Sequence, residues 1–369
     1  MNTAVRFPSA SLSSSSSVFF SNFPRNSVSM ETIIPANLNL IGKGKPSHFS
    51  TISASNDRHG SPRESTFRGG ESFFRNILAT MENVYLNKNP TAKSILDLVR
   101  SVDDDRICYD HFAFRSFGVD GHGIDSMAKL FVDFGYVQRE ELRFPAKKLK
   151  AFWFSPPNIP HSGDGTGVNG PLPRIFISEL LVDQMSSEAQ KIIRKYTKLS
   201  GNGNMHASVA SALGCLTWEK PAYTEFQQLA RESEYAAWTL VNGYTVNHVT
   251  ISAHRLKSHL QKIGNLNQFI EENGFKLNSE GGVLKVSPDG LLLQSSTVAD
   301  SASFQFAEGI TESIPCSYIE FAERLVLPEF KDLPENKVEE FHRRDGFEVG
   351  NADKIFESTS IDQLTRKSV

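Results

Sequence analysis

Two short runs constrain this chain more than anything else in it: Tyr109-Asp110-His111-Phe112-Ala113-Phe114-Arg115-Ser116-Phe117 and Val246-Asn247-His248-Val249-Thr250-Ile251-Ser252. Each reads as a β-strand from its short run of aromatic and β-branched residues. Each carries a histidine near its start, directly after Asp or Asn. Helical periodicity and then further strands follow both. After the first run, Ile124, Met127, Leu130, Phe131 and Phe134 recur at helical spacing until Gly135, and residues 136–137, 148–154 and 174–181 read as strands. After the second, residues 255–273 read as a helix stopped by Gly274, with strands at 275–277, 283–286, 291–295 and 317–324. The order β-α-β-β-β therefore occurs twice, with one imidazole offered by each copy. The expected architecture is α+β, with two such modules forming a curved sheet around a shared metal site.

The repeats set the domain boundaries. Module one covers 108–182, a helical insert 183–243, and module two 244–325. Inside the insert, helices are expected at 187–199 and at 223–241, the latter after Pro221. Two helices precede module one, at 73–85 and 91–99, with Pro90 opening the second. Residues 57–70 are polar and glycine-containing and read as a linker.

Residues 1–56 differ from the rest. They hold a single acid, Glu31, against Arg6, Arg25, Lys43 and Lys45, and they carry the run Ser13–Ser17. A serine-rich, acid-poor start without a long apolar core fits an organelle transit peptide, and its sparse arginine favours a plastid, chloroplast or amyloplast, over a mitochondrion. Four of the 39 Lys/Arg and one of the 42 Asp/Glu lie there, so the remainder has 35 basic against 41 acidic residues, a net charge of −6. A mildly acidic body without a basic stripe argues against nucleic acid as a partner. No run approaches the ~20 apolar residues that cross a bilayer, so no membrane span is expected. Cys108, Cys215 and Cys316 have no metal-finger spacing and read as reduced thiols, Cys108 being close to His111.

Side chains alternate faces along a strand, so His111, Ala113, Arg115 and Phe117 share one face, and Val246, His248, Thr250 and Ser252 another. Paired about a pseudo-twofold axis, these faces line one concave surface. Imidazole suits Fe(II), Mn, Co, Ni and Zn. The leading third ligand is Glu320, set among apolar residues in the last strand of module two, where an unpaired carboxylate is costly. Two histidines and one carboxylate with open positions is the non-haem Fe(II) arrangement, whereas zinc favours a tetrahedral site with one water. Other readings stay open: hydrogen-bonded core histidines, an edge ion pair at Glu320, or rival carboxylates. Glu323 faces the opposite way by parity, and Glu179 has Arg174 or Arg115 as candidate partners. Arg115 lies about 13 Å along the strand from His111. It suits either a structural ion pair or the distal carboxylate of a ligand whose other end meets the metal. Gln305 is a weaker pocket candidate. His254 and His259 read as surface residues.

The double module resembles the vicinal oxygen chelate superfamily. More closely, Asp110-His111-Phe112-Ala113-Phe114-Arg115, Asn247-His248-Val249-Thr250 and Tyr318-Ile319-Glu320-Phe321 resemble the 2-oxoadipate dioxygenase/decarboxylase family, over roughly residues 70–358. The resemblance implies an Fe(II) enzyme that converts 2-oxoadipate and O₂ to 2-hydroxyglutarate and CO₂ in lysine breakdown. It implies His111, His248 and Glu320 as metal ligands and Arg115 on the distal carboxylate. It also implies a C-terminal closing segment, 326–358, that contacts substrate near Val349, followed by a tail, 359–369. The catalytic domain would span 71–358, and a homo-oligomer is compatible with all of this. Two alternatives remain: a glyoxalase-type metal isomerase or lyase on the same fold, and a non-catalytic plastid metabolite-binding protein.

Overall fold

The computed structural model describes residues 68–104, 107–157, 165–201, 203 and 205–365. The proposed transit peptide and linker residues 57–67 lie outside them. The first helix, α1 (Arg68–Lys88), begins within the span read as linker. It buries Phe74, Leu78, Met81 and Tyr85, a stripe at spacings of four and three that faces the sheet. Burying side chains of this size contributes roughly 1.5–3 kcal/mol each. α2 (Pro90–Val102) has proline in its first turn and Asn89 as its cap, the Asn89 side chain accepting from the Ala92 amide.

Module one is β1 (Tyr109–Phe117), α3 (Ile124–Asp133), β2 (Val137–Phe144), β3 (Leu149–Ser155) and β4 (Arg174–Leu180). The insert contributes α4 (Ser187–Leu199), α5 (His206–Leu213), α6 (Tyr223–Glu232) and α7 (Glu234–Asn242). Module two is β5 (Val246–Ser252), α8 (Ile263–Glu272), β6 (Lys285–Val286), β7 (Leu292–Ser296) and, after a hairpin of β8 (Ser301–Gln305) and β9 (Thr311–Pro315), β10 (Tyr318–Arg324). One eight-stranded, curled sheet runs β2-β3-β4-β1-β5-β10-β7-β6. Its two halves mirror each other about the antiparallel β1–β5 seam, and β1–β4 and β5–β10 are both parallel pairs. At the seam His111 opposes Thr250 and Ala113 opposes His248.

Several elements differ from the expectation, each for a physical reason. β2 extends to Phe144 through Arg139, Glu140, Glu141 and Arg143, a charged run that resembles a loop but is an exposed sheet edge. The helix expected from 255 starts only at Ile263, where the Glu323 carboxylate of β10 accepts from the Ile263 amide. A start set by a distant strand leaves no local signal. The single helix expected at 223–241 is two, because Ser233 is extended and caps α7 through the Ala236 amide. α5 and the β8–β9 hairpin lie outside the elements expected from the sequence. The hairpin rests Phe304 and Phe306 on Tyr223 and Phe226.

Past β10, the segment read as closing contains single 3-10 turns, then α9 (Val349–Ile355), the turn Phe356–Thr359 and α10 (Ile361–Thr365). The span read as tail is packed as far as it is described: Thr359, Ser360 and Gln363 are buried, and the Gln363 side chain accepts from the Ser279 amide. Among the described residues no helix is long and apolar enough to cross a membrane.

Candidate active site

The seam brings together three residues that the sequence separates by more than two hundred positions. One donor atom each from His111, His248 and Glu320 lies within 4.8 Å of the others, and all three side chains are buried. His248 Nε2 is 3.0 Å and His111 Nε2 3.6 Å from Glu320 Oε2, and the two Nε2 atoms are 3.3 Å apart. Thr250 Oγ1 lies 3.0 Å from His111 Nε2. Among the described residues this is the one such group of metal-binding side chains.

Each ring is oriented by the residue before it. His111 Nδ1 is 2.8 Å from Asp110 Oδ1 and His248 Nδ1 is 3.0 Å from Asn247 Oδ1. With Nδ1–H donating to those oxygens, the Nε2 lone pairs point at the shared centre. An irregularity in the β1–β5 pairing between Tyr109 and His111 accompanies the Asp110 contact. Asp110 is in turn gripped by Arg324 through Nε (2.6 Å) and NH2 (2.9 Å) and approached by Arg174 at 3.5 Å. These cations hold its carboxyl well below the usual range despite full burial. Glu320 accepts from Gln294 Nε2 (2.7 Å), and Asn351 of α9 donates to Gln294 Oε1 (3.1 Å).

The charges diverge. Burial would raise the Glu320 carboxyl, but the two histidines reverse that and hold it at about 2. Burial pushes His248 down to about 4, leaving it neutral at pH 7. Burial also opposes charge on His111, yet Glu320 and Asp110 raise it above its ordinary value. An ionised carboxylate and two imidazoles whose Nε2 atoms converge on one buried centre form a donor set that suits a divalent metal.

A small cavity opens on this centre. It is lined by the three donors, Gln294 and Tyr318, and by Phe176, Phe347, Ala352, Ile355 and Phe356. The closing segment thus forms its roof: the Phe347 ring packs edge-on to His111 at 4.8 Å. Val349, by contrast, is 39% exposed and lines a separate surface cleft with Trp153 and Arg344. The face of α9 turned to the cavity is Ala352 and Ile355, three and six residues on.

Arg115 is fully buried and has no carboxylate within ion-pair distance among the described residues, which removes the structural ion pair. Its NH2 donates to Thr359 Oγ1 (3.0 Å) and the Phe356 carbonyl (3.3 Å), while Nε has no partner. The guanidinium lies over Trp238, Tyr235 and Phe356 at 4.9, 5.1 and 5.7 Å. It lines a second cavity on the far side of Phe356, whose ring borders both.

The rival residues serve elsewhere. Glu179 accepts from the Ile124 amide (2.8 Å) and pairs with Lys150, not with Arg174 or Arg115. Glu323 does the same at Ile263, with Lys262. Gln305 is exposed in β8 and meets Lys220, so it is no pocket donor. The His254 side chain is turned inward rather than to the surface: it faces Glu340, and its Nδ1 accepts from the Arg324 amide. Sequence reasoning gave no role to Gln294, Tyr318 or the aromatic roof. Asp110 and Asn247 were visible as Asp-His and Asn-His at matching positions, a repeated pair that already indicates oriented imidazoles.

The family model described as 2-oxoadipate dioxygenase/decarboxylase matches residues 77–340. The Arabidopsis thaliana protein named "2-oxoadipate dioxygenase/decarboxylase, chloroplastic" is 63% identical over 98% of this chain and 95% of its own. A crystal structure of the Oryza sativa hydroxyglutarate synthase in complex with 2-oxoadipate is 69% identical, covers 85% of this chain and all of that one, and superposes with a TM-score of 0.80. A putative glyoxalase superfamily protein of Ralstonia eutropha shares the fold at 18% identity and a TM-score of 0.55, over 74% of this chain and 86% of that one. With its paired modules, its buried histidine–histidine–glutamate centre and this breadth of similarity, the chain belongs to the 2-oxoadipate dioxygenase/decarboxylase family.

Proposed function

We propose that this protein is a plastid dioxygenase that converts 2-oxoadipate and O₂ to 2-hydroxyglutarate and CO₂ in lysine catabolism, with Fe(II) held by His111, His248 and Glu320. The observation that carries the reading is the convergence of three buried donors from two repeats on one cavity. A bound ferrous ion would supply the Lewis acidity and the redox chemistry with O₂ that no side chain here has. Three ligands leave positions open for a 2-oxo acid and O₂.

The remaining work falls to the chain. Asp110 and Asn247 fix the imidazoles, and Gln294 holds the Glu320 carboxylate. Phe176, Phe347, Ile355 and Phe356 exclude water, so the oxidant meets the substrate and not solvent. Arg115, a buried cation without an acid partner, takes the distal carboxylate and selects dicarboxylates, because leaving it unpaired is costly. Both oxygen atoms end in the product: one completes a carboxylate at the former keto carbon, the other becomes the hydroxyl on its neighbour.

The test is O₂ uptake by protein lacking residues 1–56, loaded anaerobically with Fe(II), on addition of 2-oxoadipate. Uptake matched one-to-one by CO₂ and 2-hydroxyglutarate is the expected result. Metal binding without uptake would return the reading to a glyoxalase-type isomerase, and no metal binding to a non-catalytic role. Arg115→Ala should raise the KM for 2-oxoadipate far more than it changes iron content.

A further inference from the structure

A second buried donor stands beside the cavity without an acceptor. Tyr318 is fully buried, and its ring stacks on His248 at a centroid distance of 4.6 Å and 24°. It shares the β10 face with Glu320, two residues on, and lines the metal cavity. Its carbonyl is held by the Tyr85 hydroxyl at 2.6 Å, while its own hydroxyl lies beside the Arg115 side chain and has no acceptor for its proton among the described residues. A buried hydroxyl without an acceptor carries an uncompensated desolvation cost, so such a group normally serves a ligand or a water.

The neighbouring electrostatics say what kind of ligand. The Tyr318 phenol lies beside the Arg115 guanidinium, a buried cation. Arg115 Nε–H is likewise unpartnered. One O–H and one N–H donor therefore lie near each other, the first lining the cavity that holds the two imidazoles and Glu320, the second behind the Phe356 ring that borders that cavity. Phe356, which borders the cavity and carries the carbonyl that Arg115 NH2 reaches, limits the space beyond. Two unsatisfied donors and a cation ask for an acceptor with two oxygens and a negative charge.

We propose that the Tyr318 hydroxyl is a specificity-determining donor that, with Arg115 Nε, binds the distal carboxylate of the substrate. The inference rests on the dicarboxylic 2-oxo acid reading above. Tyr318 reads the carboxylate as a directional acceptor, whereas the guanidinium supplies most of the charge attraction.

Tyr318→Phe tests this, because phenylalanine keeps the stack on His248 and removes only the oxygen. The ratio of kcat/KM for 2-oxoadipate over 2-oxohexanoate, which lacks the distal carboxylate, should fall about tenfold to a hundredfold. The rise in melting temperature that anaerobic, metal-loaded protein gains from 2-oxoadipate should shrink, and the ligand-free variant should melt no lower than the parent. The parent should show a tyrosine difference absorption on titration with 2-oxoadipate that the variant lacks. An unchanged ratio and an unchanged difference spectrum, with the parent turning over 2-oxoadipate, would overturn the proposal. Parallel loss of metal affinity and of activity on both substrates would reassign Tyr318 to support of His248. A parent inactive on 2-oxoadipate would instead fail the functional reading on which this one stands.

Discussion

The two repeats use the same framework to different ends. Register places His111 and His248 at equivalent points, and with them Asp110 with Asn247, Arg174 with Tyr318, Phe176 with Glu320, and Glu179 with Glu323. The last pair has kept one duty: each carboxylate accepts from the first amide of its repeat's helix, α3 or α8. The pairs at the cavity have diverged. Phe176 stands where a symmetric site would offer a fourth ligand, and it lines the cavity instead. Module one backs its histidine with a buried ion network, module two with a neutral amide. The helix-capping carboxylates and the two histidines thus stay matched, while Phe176 and Glu320 are unequal in a way that would leave a bound metal with open positions.

The largest effects should come from disturbing that inequality. Glu320→Ala should lose metal and turnover together, whereas Phe176→Glu should bind metal more tightly and still lose turnover, because a fourth ligand fills an open position. Metal titration alongside O₂ uptake separates the two, and a Phe176→Glu protein that still turns over would sink the equivalence.

Next come the residues behind the histidines. Asp110→Ala strands Arg324 as a buried charge and should cost about 3–5 kcal/mol of stability. Asn247→Ala removes only a neutral hydrogen bond and should cost about 1–3 kcal/mol. Urea midpoints compare them, and equal losses would remove the distinction drawn here. Both should weaken metal binding by about 10–100-fold.

Acid should separate the repeats by sign in the metal-free protein. His248, held at about 4 against an unfolded value near 6.5, adds stability above pH ~6.5 that is lost as pH falls toward 4, on the order of 3 kcal/mol. His111, with its value raised, adds stability that is full below pH ~6.5 and lost as pH rises through its folded pKa. Relative to the parent, His248→Asn should therefore flatten acid destabilisation and His111→Asn should steepen it. Parallel pH profiles for the two variants would contradict this assignment.

The smallest effect tests what the repeats share. Glu179→Gln and Glu323→Gln should each cost about 0.5–2 kcal/mol as weakened helix caps, with metal affinity unchanged in both. A loss confined to one of them would show that the capping duty is not shared.

Much of this was legible in the sequence because it is written in local periodicity. The doubled β-α-β-β-β order, both histidines and Glu320 follow from strand alternation and from the cost of a carboxylate among Tyr318, Ile319 and Phe321. What stayed hidden is set by contacts across the chain. The start of α8 depends on Glu323, sixty residues away. The roof over His111 depends on Phe347, held because Arg324 donates to the carbonyls of Arg344 and Gly346. Val349 came only from the resemblance, as the place of the family's closing segment, and the turn of α9 presents Ala352 and Ile355 to the cavity instead. The pairing of Asp110 with Arg324 is a tertiary fact that leaves only a lone Asp before His111 to read.

The β1–β5 seam would make a bound metal a gauge of correct assembly. Side chains switch faces with every residue, so sliding one repeat against the other by a single position would turn one imidazole away from its partner. A chain that closed its eight-stranded sheet out of step could look compact and keep most of its helices, yet it would hold no tight ion. Metal content, measured on freshly folded protein, therefore counts the fraction of molecules whose two halves have met in step.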